Sequence, residues 1–498
     1  MSVKNQILVF MVLIVLAATM RFYRLGDWSF CGDELYTFYE TGLFSGEMKA
    51  DDIDKPFLKE YFDPEKTTLE DSQLYRLPQL APVAYAVHWL DYHFFGRDEF
   101  GSRVLMAVIG SFNIGLLYLL GRPLLGDTGA LVLSVLILCF PEHLFNSQNA
   151  RMYSLAYLLI STVFLLGGTV ALKRSVKAAV AIGPVAVLMI LTHTLGGMIW
   201  GIVLAGVAAD YFLSKRTEKY PISILLLFGL WSLLFVAFAA CYILPRAAGW
   251  NGTPTWGYTP LHALMALVAR VGWPVFLLAA VGTTYAFFQI REKDNAYWVC
   301  VFLASMAAVY LFPLKQTFYP WHSFIFTFPP FFLAARLIES IHSNLGKRDC
   351  LPVYRFFGFV WITFAAMLNL PATASYYQDG NRLDFRSACS YVLEHWQEGD
   401  VLASAFVGFA EHYLPADYPK QMLWSTSNKE YMDHFVANES ESKGRLWIID
   451  YSHRGGMRED KLRWLCRHAE FEAKFGKKRL DHIDNNVYVF LIDPRSSK

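Results

Sequence analysis

Long apolar runs separated by short polar stretches dominate the first three quarters of the chain. A helix needs about 20 mostly apolar residues to cross a bilayer, and about eleven windows qualify. They lie near residues 5–22, 103–121, 128–143, 153–172, 177–192, 196–213, 222–244, 262–290, 296–313, 321–341 and 355–371. The pattern predicts a polytopic α-helical membrane protein. The first window is interpreted as a retained span, because no small-residue cleavage site follows it.

The pattern changes after residue 371. Short apolar runs such as "DVLASAF" and "RLWIIDY" alternate with helical patterns such as "DFRSACSYVLEHW", which is typical of a small α/β domain. We therefore predict a transmembrane module over 1–371 and a C-terminal α/β domain over 372–498. The first outer loop, 23–102, carries the amphipathic, proline-broken stretch 76–95, which suits a helix lying in the membrane interface.

The basic residues of the short loops predict the orientation. They fall in alternate loops, which the positive-inside rule places in the cytoplasm. These residues are Arg122, Lys173, Arg174, Lys177, Lys215, Arg216, Lys219, Arg291, Lys293, Arg336, Lys347, Arg348 and Arg355. The N-terminus is therefore expected inside and the C-terminal domain outside.

Composition supports the membrane assignment. The 498 residues are 55% hydrophobic and 17% charged, whereas soluble proteins carry about a quarter charged residues. The net charge of +1 gives no support for nucleic-acid binding. The seven cysteines show no metal-type spacing and suit packed free thiols, with a disulfide between Cys389 and Cys466 left open.

Two adjacent carboxylates, Asp33 and Glu34 in "GDELYTFYETG", follow the first span on the predicted outer side. A solvated pair of loop charges is the simpler reading. However, Gly32 permits close backbone approach, and aromatic residues surround the pair. A carboxylate at an apolar edge holds a proton more readily, which suits a general base, while its neighbour orients a group or holds a cation.

Several cations also lie in the predicted outer loops. Arg151 and Tyr153 in "NSQNARMY" precede the fourth span, His193 ends the fifth, and Lys315 and Arg246 lie in later loops. Each could instead be an interfacial anchor, or a residue at the membrane boundary whose hydrogen bonds are already satisfied. An outer arginine runs against the positive-inside bias, and guanidinium suits phosphate oxygens. An ionisable residue at membrane depth is also a functional candidate.

Together, outward acids and outward cations could share one cavity. Such a site can deprotonate a hydroxyl and stabilise a departing phosphate, which is the layout for glycosyl transfer from a lipid-phosphate sugar. No nucleotide-sugar site is needed, because nucleotide sugars are cytoplasmic and these residues are not.

Ordered motifs give the chain a family resemblance. "GDELYTFYETG", "RLPQLAPVAYAVHWLDYHFFGRDEFGSRVLMAVIG", "PEHLFNSQNARMYSLAYLL" and "LTHTLGGMIW" resemble the signatures of the bacterial protein-O-mannosyltransferase-like superfamily. This group of GT-C fold glycosyltransferases includes the lipid A aminoarabinose transferases and uses polyprenyl-phosphate sugars. The match covers roughly residues 20–200. It implies a periplasmic enzyme of the bacterial inner membrane that transfers a sugar from a polyprenyl-phosphate donor to a glycan, lipid or protein acceptor.

The resemblance also implies residue roles. Asp33 would activate the acceptor hydroxyl in an inverting transfer, with Glu34 assisting, and Arg151 would contact the phosphate. His193 matches the family's Thr-His position, and a divalent metal at the two acids is neither required nor excluded. The chain departs from the family where "LPQLAPVAYAV" lacks a His-Pro-Pro start and where 315–321 lacks an Arg-Tyr pair.

Two other classes stay open from the sequence alone. A transporter or flippase for a lipid-linked sugar would need charges near the bilayer midplane, and Arg270 is the main one here. A non-catalytic subunit of a glycan-assembly complex would use the C-terminal domain to bind a partner. The identities of the sugar and the acceptor are not encoded in any motif above.

Overall fold

The computed structural model describes most of the chain. The described residues are 2–47, 80–214, 220–243, 259–289, 295–314, 320–346, 351–379, 382–404, 407–415, 417–422, 444–451, 465, 467–475 and 486–493.

Sixteen α-helices are named here in chain order within those ranges. They are α1 Val3–Phe22, α2 Gly32–Ser45, α3 Pro82–Phe95, α4 Val104–Leu138, α5 Pro141–Ser147, α6 Tyr153–Lys173, α7 Val176–Thr192, α8 Gly196–Leu213, α9 Ile222–Phe238, α10 Pro260–Val271, α11 Trp273–Phe288, α12 Ala296–Leu311, α13 Phe328–Gly346, α14 Leu351–Asp379, α15 Phe385–His395 and α16 Val407–Tyr413.

The helices confirm a multi-pass membrane protein. Eight described helical segments are long and apolar enough to cross a membrane, and α10 and α11 form a further pair bent by 103° at Gly272. The shorter apolar helix α7 covers another predicted window. Within the described residues, each of the eleven windows contains helix, and α4 extends through one window and into the next. Stretch 76–95 contains α3, whose 14 residues are too few to cross a bilayer.

Helix α4 covers two windows because it is broken inside. Gly126 has a φ of +78°, a left-handed conformation that favours glycine. The backbone N–H of Gly129, at the start of the second part, donates to the Glu339 carboxylate at 2.7 Å. Side-chain acceptors satisfy N–H groups exposed at a helix start, so Glu339 caps this one from α13.

The chain divides into two compact units. The membrane unit comprises Met1–Tyr23, Arg76–Gly96 and Ser102–Ser375. Its core is aromatic and close-packed: Trp298 of α12 stacks on Phe332 of α13, and Phe328 of α13 stacks on Phe164 of α6. Small residues let the helices approach, since a Cβ at Gly168 would meet the Trp298 ring at 2.7 Å.

The α/β unit comprises Arg24–Tyr75, Arg97–Gly101 and Tyr376–Lys498. Its sheet has the order β2-β1-β3-β5-β4, parallel from β2 to β3 and antiparallel thereafter. The strands are β1 Val401–Ser404, β2 Lys420–Met422, β3 Leu446–Tyr451, β4 Glu470–Phe475 and β5 Val487–Ile492. The predicted small C-terminal α/β fold is confirmed. Its predicted boundary at 371/372 stays a prediction, as does the Cys389 disulfide, since Cys466 lies outside the described residues.

The α/β unit also takes in the start of the first outer loop. Phe30, Leu35 and Tyr36 are buried in the same hydrophobic core as Phe385 of α15 and Trp447 of β3. Helix α2 therefore packs as part of this unit, although more than 300 residues of chain lie between it and the sheet.

Candidate active site

The two predicted acids lie in the first turn of α2. The helix starts at Gly32, with Cys31 in an extended conformation before it. The Glu34 carboxylate turns back and accepts the backbone N–H of Cys31 at 2.8 Å, half of a capping box. Asp33 precedes it in the same turn, where the helix dipole stabilises negative charge.

The side chain of Glu34 is buried and bound. It is 1% exposed and forms an ion pair with Arg382, whose guanidinium also donates to the Ser29 carbonyl at 3.3 Å. Burial alone would lower the pKa of Arg382, but the Glu34 carboxylate raises it above its ordinary value. Arg382 therefore stays charged, and the Glu34 carboxylate is already occupied.

Asp33 differs from its neighbour. It is partly exposed, and no described residue forms a hydrogen bond or an ion pair with its side chain. Of the two carboxylates, only that of Glu34 is bound by a side chain within the described residues.

The second group of predicted residues lies in the membrane unit, where Arg151 belongs to the loop between α5 and α6 and Tyr153 begins α6. Asn146, Ser147, Gln148 and Arg151 are all buried, although the stretch is polar. The amide of Gln148 donates to the carbonyls of Arg21 and Tyr23, both at 2.8 Å. These carbonyls belong to the end of α1, where backbone acceptors lack helical partners. Through these two hydrogen bonds, Gln148 both fixes the loop and caps the end of α1.

A network of buried hydrogen bonds also holds α5, which leads into this loop. Arg21 contacts His143 Nδ1 at 2.8 Å and donates to Ser147 Oγ at 3.3 Å. The other ring nitrogen of His143 lies 3.1 Å from Asn113 Nδ2, and Asn113 accepts from Ser161. The network joins α1, α4, α5 and α6.

His193 lies next to this loop, at the end of α7. Its Nδ1 accepts the backbone N–H of Leu195 at 3.2 Å, so the neutral ring carries its proton on Nε2 and can donate from there. Its ring centroid lies 5.7 Å from that of Tyr153 and 6.4 Å from that of His322. Arg151 is close enough to act on it electrostatically. The structure therefore brings Arg151, Tyr153 and His193 together.

Two further residues extend this cluster. His322 contacts His193, and Arg270 of α10 acts electrostatically on His322. Arg270 also forms an ion pair with Glu142 in the first turn of α5. The sequence signal for Arg270 was a charge inside an apolar run. Nothing in the sequence linked it to Glu142.

The remaining predictions have different outcomes. Lys315 and Arg246 lie outside the described residues. Asp33 and Glu34 belong to the α/β unit, whereas Arg151, Tyr153 and His193 belong to the membrane unit, so a shared cavity stays a prediction. Within the described residues, no group of three or more His, Cys, Asp or Glu side chains is placed to hold a metal ion. Because Glu34 faces Arg382, Asp33 is the member of the pair that a divalent cation could still reach.

Comparison with solved structures establishes the fold. The chain is similar to ArnT from Cupriavidus metallidurans in the apo state, with a TM-score of 0.52 and 12% identity over 100% of both chains. It is also similar to the same protein bound to undecaprenyl phosphate, with a TM-score of 0.50 and 13% identity over 98% of each chain. The apo Archaeoglobus fulgidus oligosaccharyltransferase gives a TM-score of 0.54 and 14% identity, over 89% of this chain and 69% of that one.

These likenesses run along nearly the whole chain, and both neighbours are GT-C fold enzymes. The GT-C fold implied by the sequence motifs is therefore confirmed. No family model and no curated protein sequence matches the chain.

Proposed function

We propose that this protein is a membrane glycosyltransferase that moves a sugar from a polyprenyl-phosphate carrier to a hydroxyl group of a glycan, lipid or protein. The observation that carries the proposal is the cluster of Arg151, Tyr153 and His193 in a fold shared with a protein crystallised with undecaprenyl phosphate. Guanidinium and imidazole donors suit the phosphate of such a lipid. The proposed setting is a bacterial inner membrane, with the N-terminus cytoplasmic and the reaction periplasmic.

In the proposed reaction, the acceptor oxygen attacks the anomeric carbon of the donor sugar. Asp33 takes the hydroxyl proton as the new bond forms. The bond from the anomeric carbon to the phosphate oxygen breaks, and its electron pair leaves with the polyprenyl phosphate. One displacement of this kind inverts the anomeric centre.

The cationic cluster would stabilise the departing phosphate. Arg151 offers forked N–H donors, and His193 donates from Nε2 because its Nδ1 is already occupied. Tyr153 would add a hydroxyl, and Lys315 and Arg246 would add positive charge. Glu34 supports the site through Arg382 and does not exchange protons in this scheme.

A transfer assay tests the proposal. The purified full chain is incubated with undecaprenyl-phosphate sugars of several kinds and with cell-envelope glycan or lipid acceptors, and sugar transfer is measured. Asp33→Asn should lower the rate at least about a hundredfold, because a positioned base contributes that much or more. The matched control is Asp27→Asn, since Asp27 forms an exposed pair with Arg24 in the same loop. A wild-type rate in Asp33→Asn would remove Asp33 from the mechanism.

A second candidate function, lipid-linked sugar transport, has one observation in its favour. The bent pair α10 and α11 carries Arg270 just before its break at Gly272, and broken helices with charges occur at transporter sites. Turnover of the donor without movement across a vesicle membrane supports the transferase. Movement without turnover supports the transporter.

A further inference from the structure

Residues from the start of the C-terminal stretch hold the loop that leads to Asp33. Several hydrogen bonds join the two segments, and four of them, all with backbone carbonyls as acceptors, hold the loop at successive points. They run from Arg24 to the Tyr377 carbonyl at 2.9 Å, from Ser29 Oγ to the Leu383 carbonyl at 3.0 Å, from Arg382 to the Ser29 carbonyl at 3.3 Å and from Arg386 to the Gly26 carbonyl at 3.2 Å. The loop before α2 is thus fixed along its length within the α/β unit.

The two arginines that the C-terminal stretch contributes, Arg382 and Arg386, differ in burial. The side chain of Arg386 is 37% exposed and pairs with Glu99, whereas the side chains of Arg382 and Glu34 are 2% and 0% exposed. Removing one partner of a buried pair leaves a charge without compensation, while an exposed pair is screened by water. Arg382 is therefore the contact on which the position of α2 depends most.

Fixing Glu34 also fixes Asp33. Successive residues of a helix project about 100° apart, so the direction of one side chain sets the direction of its neighbour. Glu34 faces inward to Arg382 and to the Cys31 N–H, and Leu35 packs into the core. Asp33 then points away from these contacts, and no described side chain pairs with its carboxylate.

We propose that Arg382 is a positioning residue for Asp33: through its ion pair with Glu34 it holds the first turn of α2 in the orientation that presents the Asp33 carboxylate to the acceptor. This rests on the proposed function. It makes the C-terminal stretch a structural part of the reaction centre, in addition to any part in acceptor recognition. A misplacement of about 1 Å in a reacting group can lower a rate about a hundredfold.

The test compares Arg382→Met with Arg445→Met in the full chain. Arg445 is the matched control, because it also forms a buried ion pair in the α/β unit, with Asp400, and contacts no residue of α2. Arg382→Met should lower kcat of sugar transfer about ten- to a hundredfold while the KM for the donor stays within about twofold. Arg445→Met should keep both within about twofold.

Three further variants distinguish a positioning effect from misfolding. Glu34→Gln keeps the side-chain volume and a hydrogen-bond acceptor, and should lower kcat in the same direction as Arg382→Met but by less. The double variant should be no slower than the slower single variant, because both changes remove the same contact. Arg382→Lys should restore part of the rate, since lysine keeps the charge but offers no forked donors.

Hydrogen exchange gives a readout that does not depend on activity. In Arg382→Met, peptides covering residues 28–36 should exchange at least about tenfold faster, while Arg445→Met leaves them unchanged. Equal exchange in both variants, or a wild-type kcat in Arg382→Met, overturns the proposal. If the wild type neither binds undecaprenyl phosphate nor transfers sugar, the proposed function fails, and the exchange result still decides whether Arg382 holds α2.

Discussion

The two regions that carry the candidate chemistry are held in place by different interactions. The first turn of α2 is fixed by opposite charges, because Arg382 binds Glu34 from 348 residues away. The loop that carries Arg151 is fixed by hydrogen bonds to neutral acceptors. The Gln148 amide donates to two backbone carbonyls, and the Arg21 guanidinium donates to the Ser147 hydroxyl. The difference shows two ways in which a fold can position a charged side chain without neutralising its charge.

The physical reason lies in what each region is proposed to bind. A cationic site for a phosphate should be positioned by groups that do not compete with the phosphate, and amide-to-carbonyl hydrogen bonds meet that condition. A base needs an open carboxylate, so an adjacent acid can form the ion pair in its place. Glu34 takes that role, and Asp33 stays open.

The largest expected effect comes from removing the hydrogen bonds of Gln148, which hold the loop that carries Arg151. Gln148→Leu leaves the buried Arg21 carbonyl without its donor, which costs about 1–3 kcal/mol, and removes the hydrogen bond to the Tyr23 carbonyl, which costs about 0.5–1.5 kcal/mol. Together the loss should be about 2–4 kcal/mol. Thermal unfolding of the detergent-solubilised protein measures the loss. Gln289→Leu is the control, since no described residue bonds the Gln289 side-chain oxygen. Equal midpoints for the two variants would show that the loop does not depend on Gln148.

A smaller loss is expected from crowding the same loop. A Cβ at Gly110 of α4 would lie 2.1 Å from Ser147 Oγ and 2.7 Å from Ser147 Cβ, so Gly110→Ala must displace Ser147. Overpacking of this kind costs about 1–3 kcal/mol. Gly201→Ala in α8 is the control, because nothing lies within 4 Å of its Cβ position. A stable Gly110→Ala protein with unchanged exchange in the loop would contradict the packing described.

The roles of the two regions can be distinguished by measuring lipid binding separately from proton transfer. His193→Ala should weaken binding of undecaprenyl phosphate about tenfold, since a hydrogen bond to a charged group is worth about 1.5 kcal/mol. Asp33→Asn should leave that binding within about twofold of the wild type. Affinity is measured with undecaprenyl phosphate in nanodiscs, with His262→Ala in α10 as control. The reverse pattern would assign the lipid to the acidic region.

The smallest effect expected is a pH dependence confined to the α/β unit. Burial alone would raise the pKa of Asp400, but hydrogen bonds from Arg445, from the Gln397 N–H and from Trp447 lower it below its ordinary value. A carboxyl with a depressed folded pKa stabilises the fold above its unfolded pKa, about 4, and loses that contribution as the pH falls through the folded value.

Hydrogen exchange in β1 and β3 should therefore accelerate as the pH is lowered below about 4, after correction for the intrinsic pH dependence of exchange. Asp400→Asn should remove this dependence. The amide-to-carbonyl hydrogen bonds of Gln148 contain no titrating group, so they should show no such change. A dependence that persists in Asp400→Asn would point to another carboxylate.

Much of the fold was readable from the sequence. The apolar windows predicted the candidate membrane helices found among the described residues, because length and hydrophobicity decide whether a segment can cross a bilayer. The division of α4 was also visible, as two windows flanking polar residues near Gly126. The alternation after residue 371 predicted the α/β fold, and the ordered motifs predicted the GT-C architecture that the solved structures confirm.

The candidate site was only partly readable. The sequence singled out Arg151, Tyr153 and His193 from their unusual placement, and the structure brings these three together. It could not separate Asp33 from Glu34, since two adjacent acids look alike until one of them finds a partner. It gave no hint of Arg382, because local patterns carry no information about which distant residue packs against a given turn.

What the sequence determined by itself was therefore the set of membrane helices, the presence of an α/β unit and the residue types available for chemistry, all of which depend on local hydrophobicity and spacing. Only the tertiary structure decided which acid is bound and which is open, which carbonyls Gln148 caps, and that α2 packs with the C-terminal sheet. Such choices depend on contacts between residues far apart in the chain, and the free energy of those contacts exists only once the chain has folded.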